Sequence, residues 1–136
     1  MNVGSLQTSI DGVAAEYTRS LQLRVASVLP DGATLVLPVT PHLVHGGGVV
    51  CGQSLLAAAD TAMLVAMIAV QGGFRPMTTV QLGFTFLRPV AADAGEIGVE
   101  ARVLRSGKTL CYGAVDFVAG QDRKLVGHAT ATYSLL

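Results

Sequence analysis

The sequence predicts an α+β fold in which one antiparallel sheet curls around one long helix. Three observations carry this prediction: a long apolar segment of helical length, several segments in which apolar and polar residues alternate, and short turn sequences between most of those segments. Short turns join antiparallel neighbours. We expect residues 1–136 to form a single domain, because a chain of this length can build one core.

An arm and a hairpin are expected before the apolar segment. Residues 1–19 have weak periodicity and are expected to form an N-terminal arm or a short helix. Residues 21–28 alternate moderately, residues 33–37 are apolar and β-branched, and Pro30-Asp31-Gly32 supplies a turn between them. Pro38 then ends the second strand.

The 16 residues from Leu55 to Val70 are apolar at every position except Asp60 and Thr61. A helix is expected from residue 53 or 54 to Val70, since Gly72-Gly73 supplies the positive φ that commonly ends one. The apolar run is shorter than the roughly 20 residues that span a membrane, and it contains an acid. We therefore expect this helix in the middle of the fold, wrapped by other elements, and no membrane partner.

Four strands are expected after the helix. Val80, Leu82, Phe84 and Phe86 alternate with polar residues or glycine, which is the pattern of a strand with one buried face. Three further strands are predicted at residues 97–103, 109–118 and 125–133, with turns at residues 106–108 and 120–122. Each of the four is expected to pair with its neighbour along the chain.

Charge excludes two classes of partner. Lys and Arg number 9, Asp and Glu also number 9, and charged residues make up 13% of the chain against 51% apolar residues. No net field would draw the protein to nucleic acid or to an anionic membrane. So much neutral surface favours a homo-oligomer, in which another subunit covers part of it.

The cysteines and the N-terminal residues bear on the compartment. Cys51 and Cys111 have no CxxC spacing and no nearby pair of histidines, so we expect reduced thiols and no zinc site. Residues 1–12 are polar and mixed, without the pattern of a signal peptide. The expected location is the cytoplasm.

Asp60 is the candidate for chemistry, because a carboxylate within an apolar helix is costly to bury without a partner. One interpretation is a general base or nucleophile that faces a cleft. The other is a structural carboxylate that bonds a neighbouring backbone group or an arginine across a subunit interface.

Two segments resemble a known family. Residues 51–62 are similar to the stretch of phenylacetate-degradation and 4-hydroxybenzoyl-CoA thioesterases that reads HGG, four variable residues, an aliphatic residue, Ala, and then Asp or Glu. Residues 85–90 resemble the Phe-Leu-Arg-Pro strand end of the same family. The order of elements matches the hotdog superfamily over about residues 20–135. The resemblance implies a hotdog fold and hydrolysis of acyl-CoA thioesters, with no metal and no cofactor, since coenzyme A is part of the substrate.

Two alignments with the family motif compete. The literal HGG, which starts at His45, would place Ser54 at the acid position. Counting back nine residues from Asp60 gives Cys51 in place of the family histidine and Gln53 in place of the second glycine. We prefer this second alignment, because it keeps an acid at the catalytic position.

In that alignment the resemblance assigns roles to several residues. The N–H of Gly52, at the helix start, holds the oxyanion of the thioester carbonyl. Asp60 acts as base or nucleophile, which the sequence does not decide, and His45 is a hydrogen-bonding group or a base. Gln53 and Thr61 are weaker candidates for the pocket lining. Gly52 and His45 also have structural interpretations: Gly52 can simply start the helix, and His45 can be a solvated loop residue.

Coenzyme A phosphates and a second subunit are the remaining expectations from the resemblance. Arg88, Arg105 and Lys108 lie near strand ends and turns and are candidates for the phosphates, although any exposed turn carries such charges. The site is expected between two subunits, with Asp60 from one and both Gly52 and His45 from the other. This implies a dimer, paired into a tetramer.

Two other functions are rivals to thioester hydrolysis. Hydratases of the same fold need a histidine shortly after the aspartate, and residues 61–72 contain none. A non-catalytic acyl-CoA binding or sensing protein remains open, because Cys51 and Gln53 depart from the family motif. The sequence does not identify the acyl group.

Overall fold

The computed structural model describes all residues from Met1 to Leu136 as one antiparallel sheet around one central helix, as the sequence predicts. The helices are α1 (Val3–Val13), α2 (Glu16–Arg19) and α3 (Gly52–Gln71), with a 3-10 turn at Pro41–Leu43. The strands are β1 (Arg24–Leu29), β2 (Gly32–Pro38), β3 (Met77–Phe86), β4 (Glu96–Ser106), β5 (Leu110–Ala119) and β6 (Lys124–Leu135). The N-terminal arm is therefore two short helices, and the predicted hairpin is β1–β2.

The sheet has the order β1-β2-β4-β5-β6-β3. Neighbouring pairing is confirmed for β4, β5 and β6 but is wrong for β3 and β4, since β3 pairs with β6 at the edge of the sheet. Only a tight turn forces two consecutive strands to be neighbours. The segment of residues 87–95 is longer, and it carries the chain across the sheet to β4, beside β2.

Helix α3 begins and ends close to the predicted residues. Its N-cap, Cys51, is extended, and Gly72 adopts the left-handed conformation, with φ of 77°, that closes the helix. By length and composition alone α3 could cross a membrane, but 61% of its most apolar stretch is buried inside the fold. It is the core helix, with α1 packed beside it through the buried Leu6 and Ile10.

Strand β3 differs from its prediction. Leu82 and Phe84 are half-buried, whereas Val80 is 59% and Phe86 54% exposed. The strand lies at the sheet edge, and its register with β6 shifts between Thr79 and Gln81, which is a β-bulge at Val80. The predicted buried face is therefore only partly covered within one chain.

A close approach of α3 to β5 depends on Gly113. A Cβ added there would overlap the side chain of Met63, which is fully buried, and would lie 2.7 Å from the carbonyl oxygen of Arg102. The Met63 side chain is packed inside the core, and the Arg102 oxygen belongs to the backbone of the neighbouring strand, so neither contact is relieved without a shift of its surroundings.

We predict that Gly113→Ala lowers the free energy of unfolding by about 1–3 kcal/mol, the usual effect of overpacking a core. Gly12→Ala is the control, because a Cβ at that position in α1 meets nothing within 4 Å; it should be neutral or stabilise by about 0.5–1 kcal/mol. Urea unfolding followed by circular dichroism measures both. Equal stability of the two variants would contradict the packing.

Candidate active site

The carboxylate of Asp60 is half-buried on α3 and is held through one oxygen. Its Oδ1 accepts a hydrogen bond from the Thr79 hydroxyl at 2.9 Å and from the Tyr133 phenol at 2.5 Å. The same phenol lies 3.1 Å from the Asp60 carbonyl oxygen. No group of the chain bonds Oδ2, which leaves that oxygen available to a ligand or to water.

Strand pairing places the two donors side by side. Thr79 on β3 is the direct partner of Tyr133 on β6, so both side chains meet the same turn of α3. The bulge at Val80 is what turns Thr79 inward, because simple alternation from Leu82 would send it to the outer face. Sequence reasoning missed both donors, which lie 19 and 73 residues from Asp60.

Tyr133 is a fixed donor. It is 3% exposed, and burial raises the pKa of its phenol, as do its hydrogen bond to Asp60 and the negative charge of that carboxylate. The phenol therefore stays protonated throughout the physiological pH range and keeps one orientation relative to Asp60.

A cavity of about 290 Å³ opens beside Asp60. Its walls come from the end of α1 and the start of α2, from α3, and from β3 and β6. Of the site residues predicted from sequence, Asp60 and Thr61 line it, whereas Gln53 is exposed and does not. The remaining lining residues are Val13, Ala14, Ala15, Thr18, Leu64, Phe74, Met77, Thr79 and Tyr133.

Gly52 is the first residue of α3, and its N–H has no acceptor within the chain. It is therefore a free donor at the positive end of the helix dipole. The helix rise puts it roughly 12 Å from Asp60 along the axis. A Cβ at Gly52 would lie 3.2 Å from the Phe86 ring, at the end of β3 that is distant from Thr79. One chain does not bring Gly52 and Asp60 together.

His45 is exposed in the loop before α3, and its ring is fixed by the next residues. Gly47 N–H donates to His45 Nδ1 at 2.8 Å, so the neutral ring carries its proton on Nε2. A Cβ on Gly47 would lie 2.6 Å from His45 Cε1. The literal HGG is thus a local motif that orients the histidine, which does not line the Asp60 cavity.

The three basic candidates lie at opposite ends of the sheet. Arg88 donates to the Leu125 carbonyl oxygen at 2.8 Å, at the start of β6. Arg105 and Lys108 are exposed near the β4–β5 turn, beside the end of β6. The length of β6 separates these two positions by roughly 30 Å. Within one chain, Arg88 therefore cannot bind the same phosphate group as Arg105 or Lys108.

The two thiols are free, with Cys51 half-buried and Cys111 buried. Cys51 Sγ lies 3.0 Å from Ser54 Oγ, beside the start of α3, and no histidine bonds it. No three His, Cys, Asp or Glu side chains are grouped so that they could hold a metal ion.

A sheet wrapped around a central helix in this way is the hotdog fold, and solved structures of that fold match it closely. Thioesterase superfamily member 2 from Mus musculus has a TM-score of 0.86 at 21% identity, over 98% of this chain and 97% of that one. The Escherichia coli PaaI protein of the phenylacetic acid degradation operon has a TM-score of 0.82 at 20% identity, over 98% and 95%. Conserved protein PA5202 from Pseudomonas aeruginosa is 29% identical, with a TM-score of 0.81, over 93% and 98%.

The chain belongs to the thioesterase superfamily, whose family model matches residues 44–126. That segment runs from the loop before α3 to the start of β6 and includes Asp60, Gly52 and Thr79. A search of the curated proteins found no significant match. Membership of the superfamily supports hydrolysis of a thioester as the general activity.

We predict that Tyr133→Phe lowers the free energy of unfolding by about 1.5–3 kcal/mol, because it removes a buried hydrogen bond to a charged group. Tyr112→Phe is the control: Tyr112 is exposed on β5 and contributes no hydrogen bond to Asp60, so the change should stay within about 0.5 kcal/mol. Denaturant unfolding distinguishes the two, and a Tyr133 variant as stable as the control would contradict the bond.

Proposed function

We propose that the protein hydrolyses acyl-CoA thioesters to a free acid and coenzyme A, with Asp60 as the reactive carboxylate. The observation that carries this proposal is the state of the carboxylate: one oxygen is tied to Thr79 and Tyr133, and the other is unbonded at the wall of a cavity. A carboxylate oxygen that no protein group bonds can accept a proton from a water molecule or attack a bound substrate, and Asp60 offers such an oxygen beside a cavity.

The second half of the site comes from a partner subunit in this proposal. Strand β3 is an edge strand whose Val80 and Phe86 are exposed, so it can pair with β3 of another copy. Antiparallel pairing about a twofold axis would bring the Thr79 end of one β3 to the Phe86 end of the other. Because Gly52 lies against Phe86, its free N–H would then approach the Asp60 cavity of the neighbour.

The reaction in such a dimer has two forms. In one, the Gly52 N–H of the partner subunit bonds the thioester carbonyl oxygen while Asp60 takes a proton from the attacking water. The C–S bond then breaks, and the proton passes to the departing thiolate. In the other, Asp60 Oδ2 attacks the carbonyl carbon itself, and the C–S bond breaks to release the coenzyme A thiolate. Water then hydrolyses the mixed anhydride to the free acid and the Asp60 carboxylate, and the proton that is set free passes to the thiolate. The Nε2–H of His45 supplies a second donor to the substrate, and Arg88 or Lys108 would meet the coenzyme A phosphates from different subunits.

We predict that Asp60→Asn lowers kcat/KM for acyl-CoA esters at least 100-fold, the usual effect of losing a catalytic acid or base. Asp93→Asn is the control, because Asp93 is exposed in the loop between β3 and β4. Release of free thiol from a panel of short, medium, branched and aryl acyl-CoAs measures both. Tight binding without turnover in the wild type would instead favour an acyl-CoA binding protein, in which Cys51 and Gln53 mark the lost activity.

Two substitutions at Gly52 distinguish the effect of losing its N–H from the effect of adding a side chain at this position. Proline is accepted at the first helical position, and Cys51 already has the extended backbone that precedes proline, with φ of −71° and ψ of 147°. Gly52→Pro removes the N–H, whereas Gly52→Ala keeps it and adds the same Cβ beside Phe86. We predict a loss of about 100-fold or more in kcat for the proline variant relative to the alanine variant. Equal rates would exclude Gly52 as the oxyanion donor.

A further inference from the structure

A second cavity of about 290 Å³ lies beneath α1, next to the one that contains Asp60. Its floor is apolar and is formed by Ile10, Leu35 and Val65. Asp11 and Arg19 stand at its solvent side, where the Arg19 guanidinium donates to the Asp11 carbonyl oxygen at 3.3 Å. The second cavity therefore combines an apolar floor with a polar rim, and Asp60 does not line it.

The two cavities share a wall. Ala14, Thr18 and Thr61 line both of them. These side chains are small, and Thr61 directly follows Asp60 on α3. A group bound at Asp60 is thus one residue away from the wall that the two cavities share.

We propose that the acyl chain of the substrate extends from Asp60 past Thr61 into the chamber beneath α1, so that this protein prefers unbranched aliphatic acyl groups. This inference rests on the proposed function. The first cavity has room for about ten water-sized groups at ~30 Å³ each, and the thioester sulfur, its carbonyl group and the attacking water take up about four of these, so a chain of ten carbons needs further space. A flexible methylene chain can pass between small side chains into a second apolar space, whereas a flat ring would be confined to the first.

Binding of non-hydrolysable thioethers tests this inference apart from catalysis. S-butyl-, S-hexyl-, S-octyl- and S-decyl-coenzyme A would be titrated calorimetrically into the wild-type protein. Each methylene that enters an apolar chamber should improve the affinity roughly fourfold. A rise through the decyl compound supports the inference, even if no acyl-CoA is hydrolysed. Affinity that stops rising before the decyl compound overturns it, even if hydrolysis is observed.

Larger side chains at the wall shared by the two cavities test whether the acyl chain takes the proposed route. Ala14 is half-buried and ends α1 in an extended conformation, so Ala14→Phe should place its ring at the shared wall without breaking a helix. We expect decyl affinity to fall at least tenfold while butyl affinity changes less than threefold. Ala26→Phe, at an exposed position of β1, is the matched control and should change neither.

Thr61→Leu enlarges a side chain at the same wall from the side of α3 and should give the same selective loss. It serves as the second variant if circular dichroism shows that Ala14→Phe displaces α1. Unchanged decyl affinity in whichever variant keeps the wild-type spectrum would overturn the proposed route, while hydrolysis of short acyl-CoAs by the wild-type protein would leave the proposed function intact.

Discussion

The hydrogen bonds that Asp60 receives from Thr79 and Tyr133 connect the core of this protein to the cavity beside α3. A charged group on a helix that is otherwise apolar on its inner side must be satisfied by donors, and both donors come from a single pair of opposed positions on β3 and β6. The bulge at Val80 is what aims Thr79 at the carboxylate. Because both bonds go to one oxygen, the arrangement stabilises the charge and still leaves the other oxygen unbonded by the protein.

Within one chain, the sheet keeps apart Asp60 and Gly52, the two residues that the family resemblance assigns to one active site. Asp60 lies at the end of β6 near the β4–β5 turn, whereas Gly52 lies beside Phe86 at the other end of β3. A single chain therefore has a carboxylate with a cavity but no oxyanion donor beside it. An edge strand with exposed apolar residues between the two ends gives a simple geometric solution, since a twofold axis through that edge exchanges them.

Much of this architecture is predictable from sequence, for reasons that are local. The apolar run predicts α3, and the single acid within it makes Asp60 the candidate for chemistry. The alternation of apolar and polar residues predicts the strands. The position of β3 is not predictable, because residues 87–95 show only that a tight turn is missing. Thr79 and Tyr133 look like ordinary strand residues, and only pairing between distant segments brings them to Asp60. The literal HGG at His45 is ambiguous in sequence, and the structure shows that it orients the histidine.

The most direct test of a shared site is a mixture of two inactive chains. Asp60→Asn and Gly52→Pro subunits, unfolded together and refolded at equal concentration, would form mixed dimers in which one site carries both lesions and the other carries none. Our account predicts that the mixture regains about a quarter of the wild-type rate, because half of randomly assembled dimers are mixed and each has one intact site. A rate no higher than that of the separate variants would mean that Asp60 and Gly52 do not meet across a subunit interface.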